Sequence, residues 1–407
     1  MHRIRLISLM LLFTITITVS SIAVSADDEK PSTWPVEVKC IAEPLLPPAN
    51  WTYPGTILMS GYAGIHGIQA GWETPQVLAF FRNDADGDYP LYGGQLSPDG
   101  NWYAAPIGET WAEISFNNYW DVRKVRLYPM SGDGHEITYA LSDYRDIFRY
   151  DAVAWGYLPI EWQNNATFVV GGLMVQPFDN HVEIASYNYY GSTLDDRYFS
   201  PDLTRVFGRV MLDAFGTVVT YKSLQTIDYS VVYGLAKLDN RKDSFVNLGE
   251  VGGVSWRRDS AGFIAEVENV AESSTQLNLY DRDGNMINAL FDLGQGGTDF
   301  SRGASGRNDL LWSLDDKQFA FTYDPPYPQP NRLHIVNLDE HTIMDTCLKP
   351  ISQPVWSPDG KMLAYLANAR ENLKIIVIDL ETWKAYDIGR QSGSYGWGLP
   401  DMVGWRE

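Results

Sequence analysis

The chain has 407 residues, of which 45% are hydrophobic and 20% are charged, an ordinary composition for a globular protein. Its 51 acidic residues outnumber the 31 Lys and Arg residues, which gives a net charge of −20. A surface with this charge repels phosphate backbones and anionic lipid headgroups, so we expect neither nucleic acid nor an acidic membrane surface as a partner.

Residues 1–26 have the features of a secretory signal peptide. Arg3 and Arg5 precede an apolar run from Leu6 to Ile22, and the small residues 24–26 fit a cleavage site. The apolar run is short for a membrane anchor, and no later stretch is long enough to span a bilayer. We therefore expect a secreted or periplasmic protein whose mature chain does not insert into a membrane. Cleavage removes two arginines and no acid, so the charge becomes −22.

Residues 27–52 are predicted to be an N-terminal extension. It contains Cys40, and the only other cysteine is Cys347. An oxidising compartment favours a disulfide between them, and the alternative is two unrelated thiols. Residues 35–42 read as a short strand, and Cys347 falls on the outermost strand of its repeat. We expect the disulfide to hold this strand at that edge, where it covers unpaired backbone groups.

From residue 53 onward the chain repeats one pattern. The clearest copy, residues 353–389, reads as four strands with a Pro358-Asp359-Gly360 turn between the first two. Similar copies recur upstream at intervals that fit one four-stranded propeller blade each. The first strand of each copy is marked by an apolar anchor. The anchors are Leu96, Trp155 or Trp162, Phe199, Trp256, Trp312 and Trp356.

The end of the chain predicts how the repeats join. Trp405 fits a further anchor, 49 residues after Trp356, and the chain stops after that strand. Segments 55–60, 76–81 and 89–93 would supply the missing strands, so we expect one composite blade that closes the ring. The prediction is an all-β protein, a single β-propeller of about seven four-stranded blades over residues 53–407. The predicted blades are 53–93 plus 401–407, 94–150, 151–196, 197–251, 252–307, 308–352 and 353–400.

The element WSPDGKMLAY at 356–365, followed by IIVIDL at 375–380, resembles the WD-repeat-like propellers of the TolB type. The same unit builds the propeller of prolyl-oligopeptidase-like proteins. The resemblance covers roughly residues 55–407, and the full WD-repeat signature is absent. It implies the fold and little else, because propellers host many unrelated functions. In TolB-like proteins the ring is a platform for protein interaction.

One segment has the spacing of a calcium loop. Asp84, Asp86 and Asp88 place carboxylates at alternate positions, as a hard cation requires. Asp-Gly pairs are also preferred hairpin turns, and the glutamate that completes an EF-hand is missing. We therefore favour a turn. No HExxH, GxSxG or phosphate-loop motif occurs, so we expect no cofactor and no local catalytic motif.

Aromatic residues concentrate in the predicted loops of one rim, where second-to-third strand loops and inter-blade loops meet. Convergent aromatics form peptide or glycan platforms, and the alternative is that they pack against the blades. The candidate binding residues are Trp111, Phe116, Tyr119, Trp120, Tyr323, Tyr327, Tyr395 and Trp397.

Two hypotheses about the function remain. The first is an exported, monomeric, non-enzymatic propeller that binds a protein, peptide or glycan through this rim. The alternative is a propeller-fold enzyme, a polysaccharide hydrolase or lyase, whose carboxylates line the central channel at glycosidase separations. Because no catalytic motif is present, we favour the binding protein.

Overall fold

The regular structure of the described part of the chain consists of strands, with no α-helix. The computed structural model describes residues 33–61, 64–81, 89–90, 94–109, 121–131, 137–140, 160–170, 173–179, 181–184, 198–202, 204–213, 229–237, 245–269, 272–298, 311–367, 372–392 and 401–407. None of the described segments is a helix long and apolar enough to cross a membrane. Residues 33–407 form one compact unit.

Twenty-nine strands lie in the described residues. The first fifteen are β1 Val36–Val38, β2 Thr56–Gly61, β3 Gly64–Gln69, β4 Gln76–Phe80, β5 Tyr89–Pro90, β6 Gln95–Leu96, β7 Trp102–Glu109, β8 Asp121–Pro129, β9 Ile137–Ala140, β10 Ile160–Asn164, β11 Thr167–Val170, β12 Leu173–Gln176, β13 His181–Ile184, β14 Tyr198–Phe199 and β15 Arg205–Asp213. The others are β16 Tyr229–Lys237, β17 Val246–Trp256, β18 Gly262–Asn269, β19 Ser274–Asp281, β20 Met286–Gly294, β21 Gly297–Thr298, β22 Gln318–Asp324, β23 Arg332–Asn337, β24 Thr342–Asp345, β25 Val355–Trp356, β26 Met362–Ala367, β27 Asn372–Asp379, β28 Lys384–Ser392 and β29 Asp401–Arg406.

These strands form six hydrogen-bonded sheets within the described residues. The sheet orders are β29-β2-β3-β4, β5-β7-β8-β9 with β6 also on β7, β10-β11-β12-β13, β14 to β20 in sequence, β1-β24-β23-β22-β21, and β25-β26-β27-β28. Successive strands pair antiparallel, as short hairpin connections require. The sheets have a β-propeller arrangement, which confirms the predicted all-β class.

The core lies between neighbouring sheets. Central strands such as β23 and β26 are buried along most of their length, because their sheets pack against neighbouring sheets on both faces. One core cluster joins Ala320 and Leu333 of one sheet to Trp356, Leu363 and Ile376 of the next. Another joins the sheet of β2 and β29 to the sheet of β26 and β27. Face-to-face packing of successive sheets explains why the repeats read as nearly continuous apolar runs.

The predicted count of seven blades is wrong, since the described residues form six blade sheets. The predicted blades 197–251 and 252–307 merge because β17 is one long strand that serves both. Its first part pairs with β16, with Gly249 opposite Tyr233, and its second part pairs with β18, with Trp256 opposite Phe263. The result is a single seven-stranded sheet.

The C-terminal strand pairs with the first long strand, as the composite blade requires. Thr56 lies opposite Arg406, and Ser60 lies opposite Asp401. The third strand of that blade was predicted wrongly. Residues 89–90 pair with β7 in the next sheet, whereas β3, Gly64–Gln69, was not predicted and pairs with β2. Glycines at positions 64 and 67 lower the strand propensity of β3 and hide it from a sequence pattern.

The N-terminal strap, residues 33–54, runs along the outer strands of the sheets. Its strand β1 adds to β24 in parallel, with Val36 opposite Ile343. Cys40 and Cys347 form a disulfide with 4.9 Å between their Cα atoms, and no free cysteine is present. The predicted cross-link and the edge that it covers are therefore both present. The predicted signal peptide, residues 1–26, lies outside the described residues.

Candidate functional site

The loop between β22 and β23 carries the most exposed aromatic side chain of the described residues. Tyr327 is 98% exposed, and it lies between prolines at positions 325, 326, 328 and 330. Each proline fixes its own φ and removes a backbone donor, so the loop loses little conformational freedom when it binds. The Tyr327–Pro328 peptide bond is cis. At this exposure, the amphipathic ring of Tyr327 lies away from the body of the sheet.

Tyr323 lies at the base of this loop and has a different role. Its hydroxyl donates a hydrogen bond to the Leu293 carbonyl oxygen over 3.1 Å, and its ring meets the edge of Phe291 at 5.3 Å. Burial, together with the charges of Asp292 and Asp324, raises the pKa of the Tyr323 phenol, which keeps it a neutral donor. Tyr323 thus packs against the neighbouring sheet and fixes the loop, whereas Tyr327 is left to the solvent.

The remaining candidates fall outside the described residues, so the structure brings together only Tyr323 and Tyr327. The others are Trp111, Phe116, Tyr119, Trp120, Tyr395 and Trp397, together with the calcium candidates Asp84, Asp86 and Asp88. No group of three or more potential metal ligands occurs in the part of the chain that the structure describes.

A buried histidine, which the sequence does not single out, supports the loop from below. His334 of β23 stacks on Phe321 at 5.3 Å and meets Tyr323 nearly edge-on at 5.8 Å. Its Nδ1 lies 3.2 Å from the Arg332 carbonyl oxygen. Burial lowers the pKa of His334, although nearby Asp345 opposes the shift. The ring is therefore a neutral packing partner, recognisable only once β22 and β23 are paired.

Glu266 and Thr298 also support the β22 end of the loop. The Glu266 Oε2 atom accepts hydrogen bonds from the Thr298 backbone N at 3.1 Å and from its Oγ1 at 2.5 Å. Thr298 pairs with Tyr323 across β21 and β22. The buried carboxylate thus ties the sheet of β18 to the strand end from which the loop leaves, a contact between residues 32 apart in sequence.

Other buried carboxylates in the described residues also serve the fold. Asp345 pairs with Arg332 at 2.7 Å and accepts a hydrogen bond from the Cys347 backbone N. Asp387 pairs with Arg390 and lies 3.5 Å from Lys374. Such paired acids are held by cations or backbone donors, so their position has a structural explanation that requires no substrate.

No protein-family model and no curated protein matches this chain. Among solved structures, TolB from Acinetobacter baumannii is 13% identical, with a TM-score of 0.41 over 87% of this chain and 68% of TolB. An oligogalacturonate lyase from Vibrio parahaemolyticus is 11% identical, with a TM-score of 0.45 over 85% of this chain and 87% of the lyase. An oligogalacturonate lyase in complex with manganese is 10% identical, with a TM-score of 0.48 over 86% and 89%.

These similarities agree with the resemblance to TolB-type β-propellers that residues 356–380 carry, at the level of the fold. The identities are 13% or less and the TM-scores are below 0.5, so no activity, ligand or partner is transferred from them.

Proposed function

We propose that this chain is an exported, non-catalytic binding protein that captures a protein, peptide or glycan at the rim that carries the β22–β23 loop. The observation that carries the proposal is Tyr327, 98% exposed on a loop with four prolines. A rigid tyrosine offers a large contact surface and a polar tip at a low cost in conformational entropy. Such residues are common anchors in binding surfaces.

The scaffold beneath the loop supports this role. Tyr323 bonds to Leu293, and Thr298, which pairs with Tyr323, bonds to Glu266, so the β22 end of the loop is joined to the sheet of β18 to β20 by two contacts. Binding residues on loops work best when a rigid scaffold positions them. The proposal includes the other predicted rim aromatics as convergent contacts, with Trp111, Trp120 and Trp397 as the principal ones.

Ring closure and export complete the proposal. Pairing of β2 with β29 joins the two ends of the repeat region, which favours a closed ring with no open edge between the ends. The Cys40–Cys347 disulfide favours an oxidising compartment, in agreement with the predicted signal peptide. We propose a monomer of residues 27–407 outside the cytoplasm.

The test is binding of purified residues 27–407 to a glycan array and to a peptide library. For any ligand found, Tyr327→Ala is expected to weaken binding at least tenfold, because it removes a central aromatic anchor. Phe80→Ala is the matched control, since Phe80 is also an exposed aromatic, 58% exposed, but lies on the edge strand β4. It should leave the affinity unchanged.

Two outcomes would contradict the proposal. Wild-type affinity in Tyr327→Ala and in alanine variants of Trp111, Trp120 and Trp397 would remove the rim assignment. Turnover of a bound oligosaccharide by the wild-type protein would instead support the enzymatic alternative, with acid–base residues in the central channel.

A further inference from the structure

The N-terminal strap crosses the outer strands of three successive sheets. Trp34 N donates to the Leu290 carbonyl oxygen on β20 at 3.0 Å. On β24, Lys39 N donates to the Asp345 carbonyl oxygen at 2.9 Å. On β28, Leu45 N donates to the Ala385 carbonyl oxygen, and Asp387 N donates to the Leu45 carbonyl oxygen. The strap therefore uses backbone groups that the outer strands would otherwise present at open edges.

Few apolar side chains hold the strap in place. Trp34 and Ile41 are buried, at 8% and 7% exposure, whereas all three residues of β1 are exposed. Leu46 is 81% exposed. Tyr53 anchors the far end of the strap at 6% exposure. Burial of apolar surface supplies most of the stability of a docked segment, so residues 33–46, with two buried anchors, are held weakly between them.

The disulfide lies between these two anchors and at the surface. Cys40 is exposed and Cys347 is half-buried, so a reductant can approach the sulfur atoms. Beside them, Lys39 lies over the Trp383 ring at 4.1 Å, and the Trp383 indole donates to the Lys39 carbonyl oxygen at 2.9 Å. The covalent bond is thus the strongest single link between the strap and the sheet of β22 to β24.

We propose that the strap is a redox-operated clasp, held on the sheets by the Cys40–Cys347 disulfide and released when that disulfide is reduced. A dithiol reductant attacks the Cys40–Cys347 bond, forms a mixed disulfide, and leaves as its own cyclic disulfide while both cysteines become thiols. Residues 33–46 then detach together, and the outer edges of β24 and β28 lose their cover. The sheets themselves remain, because the strap supplies none of their central strands. Reoxidation restores the clasp.

Hydrogen exchange of residues 27–407, with and without dithiothreitol, tests the clasp. Reduction is expected to speed exchange at least tenfold at the amides of Lys39, Ile41 and Leu45, and at those of Ile343 and Asp387, which donate to the strap. The amides of β22 and β26 should keep their protection. Unchanged exchange everywhere would overturn the proposal, and so would loss of protection that extends to β22 and β26.

Two further samples separate the clasp from other effects of the reductant. Cys347→Ser should show the fast exchange at the strap without dithiothreitol, and dithiothreitol should add nothing. Wild-type protein reoxidised after reduction should recover slow exchange, and persistence of fast exchange there would contradict a reversible clasp. None of these readouts depends on Tyr327 or on a ligand, so failure of the rim proposal would leave this test intact.

Discussion

Four serines explain why the same turn recurs in the repeats. Ser97, Ser200, Ser313 and Ser357 each donate through Oγ to an aspartate two residues later, at 2.6 to 2.7 Å. Each Oγ also accepts a hydrogen bond from the backbone N five residues later, at 2.9 to 3.0 Å. The Ser-x-Asp pattern is thus a self-contained turn that satisfies its own backbone, as short polar side chains do.

Three of the anchor tryptophans each link their repeat to the one before it. The Trp356 indole donates to the Leu311 carbonyl oxygen, and the Trp312 indole donates to Ser255 Oγ, both at 3.0 Å. Trp162 does the same with the Gln95 carbonyl oxygen at 3.1 Å. In each case the acceptor residue precedes the previous anchor. Of the two candidate anchors in that repeat, Trp162 therefore has the anchor position, and Trp155 lies outside the described residues.

The lowered pKa of His334 predicts how the stability of the protein changes with pH. Burial lowers its pKa below the usual value of about 6.5, so the unfolded chain binds the proton more tightly than the folded protein. The stabilisation from the neutral ring is present above pH 6.5 and is lost as the pH falls through the folded pKa. We expect the free energy of unfolding to fall by up to about 1.4 kcal/mol per pH unit in that window.

Urea unfolding between pH 5 and pH 8 measures this effect. His334→Phe should make the dependence on pH shallower without removing it, because burial also lowers the pKa of His66. His341→Asn is the matched control. His341 is exposed with φ near 53°, a conformation that asparagine tolerates, so this variant controls for the replacement of a histidine as such. Equal slopes in all three proteins would show that His334 has no such role.

At the scale of elements, four of the turns share one left-handed backbone position, and where it is not glycine its side chain bonds to the preceding repeat. Gly100, Ser260, Asp316 and Gly360 all have φ between 56° and 71°, and each lies four residues after an anchor. Ser260 Oγ accepts a hydrogen bond from Asp202 N, and the Asp316 carboxylate accepts from Arg258 N and Asp259 N at 2.9 and 2.8 Å. The hydrogen bonds to the preceding repeat offset the strain of a non-glycine residue there.

Asp316→Ala is expected to destabilise the protein by about 2–4 kcal/mol, because it removes both acceptors and leaves two backbone donors unpaired. Gly360→Ala is a matched control. It introduces the same left-handed alanine where no atom lies within 4 Å of the new Cβ, and it should cost only about 1 kcal/mol. Chemical denaturation provides both values. Equal losses in the two variants would show that the hydrogen bonds to the Asp316 carboxylate contribute nothing.

For the whole molecule, the last strand determines whether the first sheet is complete. β29 pairs with β2, and the Trp405 indole donates to the Pro54 carbonyl oxygen at 2.6 Å. Arg406 reaches beyond its own sheet to the Gly100 and Met130 carbonyl oxygens. Met402 and Val403 are fully buried. Seven residues at the end of the chain thus connect with segments more than 250 residues away.

Deletion of residues 401–407 is therefore expected to abolish cooperative unfolding and to produce aggregation, since it opens the edge of β2 and empties the adjoining core. Circular dichroism during heating and size-exclusion chromatography are the measurements. Deletion of Glu407 alone, an exposed residue outside β29, should behave like the wild type. A soluble, cooperatively folded chain without residues 401–407 would mean that the composite sheet is dispensable.

Interactions between residues close in sequence made much of the fold predictable from the sequence. The Ser-x-Asp turns satisfy their hydrogen bonds within a few residues, and the tryptophan anchors recur at blade-length intervals, so the sequence alone predicts repeated strands. With only two cysteines, the pairing of Cys40 with Cys347 had one solution. The pairing of the C-terminal strand with β2 also followed, because a single strand without neighbours has unpaired backbone groups. The candidate site was harder to predict, because the pattern of aromatic residues did not distinguish Tyr323, which packs against the neighbouring sheet, from the exposed Tyr327.

Only the tertiary structure decided the features that depend on contacts between distant segments. β17 pairs with β16 at one end and β18 at the other, so two predicted blades became one sheet. β3 contains glycines that favour no strand, and its place is set by pairing with β2. Tyr323 fixes the loop because β20 supplies a carbonyl acceptor, and Tyr327 is exposed because no residue in the described part of the chain covers its ring. A sequence pattern reflects the local conformational and burial preferences of each residue, whereas contacts between distant residues form only when the chain folds.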